Sequence, residues 1–231
     1  MNIQGLNKTT LLDYPGNVAA TIFMGGCNFR CPYCHNKDLV VNPVTSPAYT
    51  IEEILSFLTK RKGILSGVCI SGGEPTLQPF LSDFIAQIKA LNYLVKLDTN
   101  GSHPEIIREL LSKNLIDYIA MDIKTDLLHY PQITQQDKID SKLIEESVSI
   151  LKNCNIDYEF RTTVVKELHN IENFTNISLW LKGAMAYYLQ SYKESDNVIT
   201  PGFSSYSVKE LNHFLTIVKP NIPNSYLRGV E

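Results

Sequence analysis

One pattern recurs along the chain and restricts its fold more than any other: a short apolar run, a polar loop, then an amphipathic helix, six times over. The apolar runs predict strands at Val18 to Met24, Ile64 to Ile70, Leu94 to Thr99, Tyr118 to Ile123, Tyr158 to Val165 and Met185 to Gln190. The first helix is signalled by a capping box, Thr50 with Glu53, ahead of Ile51, Ile54, Leu55 and Leu58, with Gly63 as its stop. Phe80, Leu81, Phe84, Ile85, Ile88 and Leu91 set the second, over 79 to 92, and others are predicted near Pro104 to Lys113, Ser141 to Lys152, Ile171 to Leu181 and Ser207 to Val218. Regular alternation of strand and helix calls for a parallel sheet with right-handed crossovers. Six units are too few to complete an eightfold barrel. Polar residues at the C-terminal ends of most strands favour an α/β fold of the incomplete (β/α)6 TIM-like barrel type over an open doubly wound sheet, because a barrel builds its site at that end. Residues 1–231 therefore read as a single domain whose ring is open on one side. The segment Lys124 to Asp140 reads as a loop long enough to be functional or mobile.

Charge excludes one class of partner. With 21 basic against 24 acidic side chains the net charge is -3, and the only basic cluster, Lys60-Arg61-Lys62, lies at a predicted helix end where it offsets the helix dipole. No nucleic-acid footprint is present. The start, Met1 to Leu12, lacks the pattern of a signal or transit peptide, and no apolar run approaches the ~18 residues a membrane helix needs, so a cytoplasmic protein with no membrane partner is expected.

Three of the five cysteines are crowded into Cys27-Asn28-Phe29-Arg30-Cys31-Pro32-Tyr33-Cys34, which is not a disulfide framework. Thiolates are soft ligands suited to iron-sulfur clusters or zinc. Structural zinc usually takes four ligands from well-separated pairs, and no second C-x2-C pair exists here. His35 could complete a Cys3His site, but it directly follows Cys34 and would strain a tetrahedron. Cysteines 27, 31 and 34 alone leave both metals open and favour a cluster with one iron free. Cys69, in an apolar strand, and Cys154, near a helix end, read as packing residues.

Other polar residues converge on the same end of the predicted barrel. Ser71-Gly72-Gly73-Glu74-Pro75 follows the second strand, where two glycines would let backbone amides approach a ligand. Lys96, Asp98 and Asn100 alternate to one face of the third strand, Asp122 and Lys124 share a face of the fourth, and Glu159, Arg161 and Thr163 share one of the fifth. Charges in otherwise apolar strands must be paired or used by a ligand. For Glu159 with Arg161 an internal salt bridge is one reading; for Asp98, Asp122 and Lys124 ligand contact is favoured.

The C-x3-C-x2-C spacing, with aromatic Tyr33 before the third cysteine, resembles the radical S-adenosylmethionine (SAM) enzymes, and Gly72-Gly73-Glu74-Pro75 is similar to their second signature. That resemblance implies one [4Fe-4S] cluster on Cys27, Cys31 and Cys34 whose open iron chelates SAM. An electron entering the sulfonium would then break a C-S bond and form a 5'-deoxyadenosyl radical. Leu97-Asp98-Thr99-Asn100-Gly101 and Met121-Asp122-Ile123-Lys124 resemble motifs of the activating enzymes of glycyl radical enzymes. Those motifs imply SAM contacts from Tyr33, Ser71, Gly72, Gly73, Glu74, Asp98, Thr99, Asn100, Asp122, Lys124 and Arg161, and a monovalent cation on Asp98, Thr99 and Asp122. Over its length the chain is most similar to the anaerobic ribonucleoside-triphosphate reductase activating protein family. The implied activity is an oxidoreductase that places a glycyl radical on an anaerobic ribonucleotide reductase, with a flavodoxin- or ferredoxin-type electron donor. A small-molecule radical SAM enzyme, such as one like 7-carboxy-7-deazaguanine synthase, and a non-catalytic iron-sulfur electron carrier are the alternatives.

Overall fold

The structure, a computed structural model, describes residues 1–41, 47–136 and 139–230. Eight strands form one sheet in chain order: β1 (Ile3–Thr10), β2 (Ala19–Met24), β3 (Gly67–Gly72), β4 (Leu94–Thr99), β5 (Tyr118–Asp122), β6 (Asp157–Val164), β7 (Tyr187–Ser191) and β8 (Ser225–Arg228). Strand β1 runs antiparallel to β2; every later pair is parallel. Helices α1 (Lys37–Val40) and α2 (Ile51–Lys60) follow β2, α3 (Leu81–Ala90) follows β3, α4 (Pro104–Ser112) follows β4, α5 (Tyr130–Thr134) and α6 (Ser141–Lys152) follow β5, α7 (Ile171–Trp180) follows β6, and α8 (Val208–Val218) follows β7. The six expected βα units are present, as an incomplete TIM-like barrel in which β1 and β8 remain the two edges of the sheet.

Two strands go beyond the expectation. Strand β1, Ile-Gln-Gly-Leu-Asn-Lys-Thr-Thr, is mostly polar, and β8 is four residues long, so neither shows an apolar run. Starts also shift where an apolar residue lies outside the sheet: Ile64 is 58% and Met185 42% exposed, and their strands begin at Gly67 and Tyr187. The segment after Lys124 is not a plain loop. It holds a 3-10 turn, Leu127–His129, and then α5, which buries Tyr130 and Ile133; residues 137 and 138 lie outside the described set.

Strand alternation separates two environments. Val95, Leu97, Ile119, Met121 and Phe160 belong to the apolar core, with helix residues such as Ile54, Phe84, Ile107 and Val148. The intervening residues put charge on the other face, where Lys96 of β4 is 1% exposed. The β1–β2 connection plugs one end of that face: Tyr14 is buried, its ring 5.9 Å from Tyr118. A Cβ on Gly67 would meet the Tyr14 ring at 2.8 Å, so the plug needs glycine there.

The charge layer does not follow the Glu159–Arg161 salt bridge that was one reading of the sequence. Glu159, fully buried, accepts from Arg228 Nη1 at 2.8 Å, Arg228 Nη2 at 3.0 Å and the Tyr118 hydroxyl at 2.9 Å. The Arg228 guanidinium also lies 3.8 Å above the Tyr188 ring. Strand β8, invisible as a pattern, thus supplies the counter-ion of a buried carboxylate, and Arg161 is left for other partners. Arg228→Met should cost about 2–3 kcal/mol in denaturant unfolding, below the full penalty for stranding a buried charge because Arg228 is partly exposed. The double variant with Glu159→Gln should recover most of that loss.

Candidate active site

The cysteine loop has little regular structure of its own and is held by its neighbours. Gly26 N donates to Leu39 O at 2.7 Å, Arg30 N to Thr134 O of α5 at 2.9 Å, and Cys34 N to Cys31 O at 3.0 Å. From the chain after β7, Ile199 N donates to Cys34 O at 3.2 Å and Thr200 N to Pro32 O at 2.8 Å. Cys27, Cys31 and Cys34 all line one cavity of about 200 Å³. Burial pushes the Cys27 thiol up to about 11 and the Cys31 thiol up to about 12, with Lys124 opposing in both cases. Asn100 Nδ2 and Phe29 N both donate toward Cys27 Sγ, at 3.8 and 3.4 Å.

The turn after β3 touches this loop backbone to backbone. Glu74 N donates to Gly26 O at 2.8 Å and Asn36 Nδ2 to Gly72 O at 2.7 Å. A Cβ on Gly73 would lie 2.0 Å from Gly26 O, and one on Gly72, whose φ is +115°, would meet Met24 N at 2.4 Å. The close approach that glycine permits at these two positions is therefore to the cysteine loop and to β2, where the sequence suggested a ligand. Gly72 and Gly73 still form part of the cavity wall.

Glu74 does not. It is fully buried and accepts from Thr76 N at 3.1 Å, Thr76 Oγ1 at 2.6 Å, Thr99 Oγ1 at 2.8 Å and Asn100 N at 2.6 Å. Burial pushes its carboxyl up, against those donors. Its role in the structure is to tie the β3 turn to the β4 turn. Asn100 continues the link, donating through Nδ2 to Asn28 Oδ1 at 2.9 Å inside the cysteine loop.

Across the cavity the two aspartates share one arginine. Arg161 Nε donates to Asp122 Oδ1 at 2.9 Å, and its Nη1 lies 3.4 Å from Asp98 Oδ2. Lys124 Nζ donates to Asp122 Oδ2 at 3.0 Å, Ser71 Oγ to Asp98 Oδ2 at 3.0 Å, and Lys96 Nζ to Asp98 Oδ1. Burial alone would raise the Asp122 carboxyl, but Arg161 and Lys124 outweigh it and hold it at about 2. Asp98 is likewise lowered, by Arg161 and Lys96. Burial opposes the charge on Lys124, yet Asp122 holds its pKa well above the ordinary lysine value.

Every residue that the resemblance assigned to the cluster or to SAM, except Glu74, lines this cavity, and Phe29, His35, Asn36, Val40 and Thr163 join it, while Lys96 and Glu159 do not. Asn36 could have been found from its place directly behind the cysteines; Val40 gives no signal in sequence. Tyr33 is buried with its hydroxyl unpaired, its ring 6.3 Å from that of His169. Three thiols on one wall and paired charges with backbone turns on the others form a donor set suited to a thiolate-held cluster beside a zwitterionic ligand.

Comparison with known proteins agrees. A family model described as the radical SAM superfamily matches residues 21–176. A Methanocaldococcus jannaschii protein named as a glycyl-radical enzyme activating enzyme is 34% identical over 202 residues, 84% of this chain and 81% of the relative. The pyruvate formate-lyase-activating enzyme of Clostridium pasteurianum is 31% identical over 185 residues, 76% and 75% of the two chains. Among solved structures, Streptococcus suis SuiB bound to S-adenosylmethionine superposes with a TM-score of 0.68 at 16% identity, over 88% of this chain and 48% of that one.

The glycine contact makes a sharp test. Gly73→Ala should force the β3 turn away from Gly26, cost roughly 2–3 kcal/mol as an overpacked contact, and lower the melting temperature by about 4–12 °C.

Proposed function

The chain belongs to the radical SAM superfamily, within the glycyl-radical enzyme activating enzymes, and on that premise we propose that it activates an anaerobic ribonucleoside-triphosphate reductase by removing a hydrogen atom from a backbone glycine of that subunit. The protein uses a [4Fe-4S] cluster and SAM, which together supply a radical able to abstract that hydrogen. The reading rests above all on one observation: Cys27, Cys31 and Cys34 share a cavity with Ser71, Asp98, Asp122, Lys124 and Arg161.

In this proposal Cys27, Cys31 and Cys34 hold the cluster. Lys124 and Arg161 are fixed as cations by Asp122 and Asp98, and they would meet the SAM carboxylate; the carboxylates and the Gly72–Gly73 turn would receive its ammonium group. Because each charge is already held by a partner, binding requires little rearrangement of the site. The cavity wall formed by Phe29, Tyr33 and Val40 would limit water around the reacting atoms. A glycine fits as the target because its Cα carries no side chain to obstruct approach. A cytoplasmic location and a flavodoxin- or ferredoxin-type donor complete the proposal; no helix among the described residues is long and apolar enough to cross a membrane.

Two experiments test it. Anaerobically reconstituted protein should hold one four-iron cluster, lost in Cys27→Ala, Cys31→Ala or Cys34→Ala and retained in Cys69→Ala and Cys154→Ala. Iron near eight or twelve per chain would contradict a single cluster.

The second assigns the partner. Incubation with SAM, a reductant and the reductase subunit should give a doublet electron paramagnetic resonance signal on that subunit, abolished when its target glycine is alanine. A doublet on pyruvate formate-lyase alone would move the protein to the partner named in its Clostridium relative.

A further inference from the structure

The cavity account leaves the buried charge of Lys96 without a task. Lys96, on β4, is 1% exposed, too deep to touch a ligand, and its ammonium is held by Asp98. Its other neighbours carry no charge: Cys69 Sγ lies 3.8 Å from Nζ, with burial pushing that thiol up, and the Tyr118 ring centroid lies at 5.9 Å. Glu159, the next carboxylate in the barrel, is neutralised by Arg228. Asp98 is thus the one charged partner of Lys96 among the described residues.

The same carboxylate belongs to the set from which an alkali-ion site was expected, with Thr99 and Asp122. Both Asp98 oxygens are engaged, one by Lys96 and one by Ser71 and Arg161. Thr99 Oγ1 donates to Glu74 at 2.8 Å and accepts from Gly101 N at 3.1 Å, and both Asp122 oxygens face cations. The cavity's two aspartates thus face three fixed cations, Lys96, Lys124 and Arg161. A further metal cation, which needs several oxygen ligands at once, would enter a site where every oxygen of Asp98 and Asp122 already faces a donor, whereas an ammonium can share an occupied oxygen through a second lone pair.

We propose that Lys96 is a built-in counter-cation, its ammonium occupying the electrostatic place of an exchangeable alkali ion on Asp98, so that this protein binds SAM without potassium or sodium. Lys96 is a positioning residue, acting on SAM through the charge and orientation of Asp98. An ammonium is a compact point charge with three donors, the side chain closest to an alkali ion in charge and size. Delivered by β4 itself, it is present at a fixed distance whatever the salt around the protein. The proposal rests on the reading of this cavity as the SAM site.

The test compares wild type and Lys96→Met in tetramethylammonium chloride, whose cation is too large to enter, and in potassium chloride of equal ionic strength. One arm measures SAM affinity of the reconstituted protein by equilibrium binding. Wild type should change by less than about twofold between the salts; Lys96→Met should bind about tenfold more weakly in tetramethylammonium and regain most of that loss in potassium. The other arm measures melting of the protein without SAM, where potassium should raise the melting temperature of Lys96→Met and leave wild type unmoved. A role for Lys96 in packing alone would give the variant no salt-specific recovery, and that result overturns the proposal. So does a wild type that loses about tenfold in affinity when potassium is withdrawn, a result that decides the matter even if the variant cannot be purified. Absence of SAM binding by wild type in every salt would instead overturn the reading of the cavity, and the melting arm would still decide the role of Lys96.

Discussion

The carboxylate of Glu74 and the bare Cα of Gly73 hold the working end of this barrel together. Glu74 receives donors from its own turn and from the turn after β4, while its backbone N–H reaches Gly26 at the head of the cysteine loop. A buried carboxylate is costly unless its oxygens are met, and here four donors meet them. The result is a joint with no slack: the β3 turn, the β4 turn and the cysteine loop are fixed against one another through one residue. Substituting Glu74 by glutamine would put an NH2 where only acceptors fit, facing donors from Thr76, Thr99 or Asn100. The sequence motif thus marks a structural joint at Glu74 and a cavity wall at its two glycines.

Beyond that joint the barrel interior is organised as charge pairs in layers. Arg228 answers Glu159, Lys96 answers Asp98, and Arg161 bridges Asp98 to Asp122, which also holds Lys124. Each breaks the apolar character of its strand, and an apolar pair of equal volume would often be at least as stable. What the charges provide is a polar interior whose dipoles are set before any ligand arrives. The layers differ in reach: the cavity includes Asp98, Asp122, Lys124 and Arg161 but neither Lys96 nor Glu159. Depth along the strand, two residues at a time, separates groups that can meet a ligand from groups that set their charge.

How much of this was legible in the sequence follows from the range of each signal. The six βα units were, because each carries a local apolar period, and α6 falls on Ser141–Lys152 as its spacing predicts. The cysteines and the Asp98 and Asp122 motifs were legible because adjacent residues define them. Strands β1 and β8 were not, since pairing with neighbours makes them strands while their own composition does not. Partner choice was equally hidden. Glu159 and Arg161 stand two apart on β6, and nothing local says that one turns to Arg228, 69 positions on, while the other spans two aspartates. Gly73 was recognised as a close approach, but what approaches it is a backbone 47 residues upstream, which only the packed barrel brings near.

The cysteine loop carries this dependence furthest. Its backbone is held by Leu39, by Thr134 of α5, and by Ile199 and Thr200, which lie beyond β7. His35 Nε2 adds a 2.6 Å contact to Lys193 O in that same late stretch. A loop with this few bonds of its own gains little from ordering alone, because fixing each residue costs about 1–2 kcal/mol of conformational entropy. The thiols therefore owe their shared cavity to α5, which follows β5, and to the chain that follows β7. Burial favours the neutral thiol at Cys27 and Cys31, so ligation must also displace their protons. The metal's binding energy would then stabilise contacts that span nearly the whole chain.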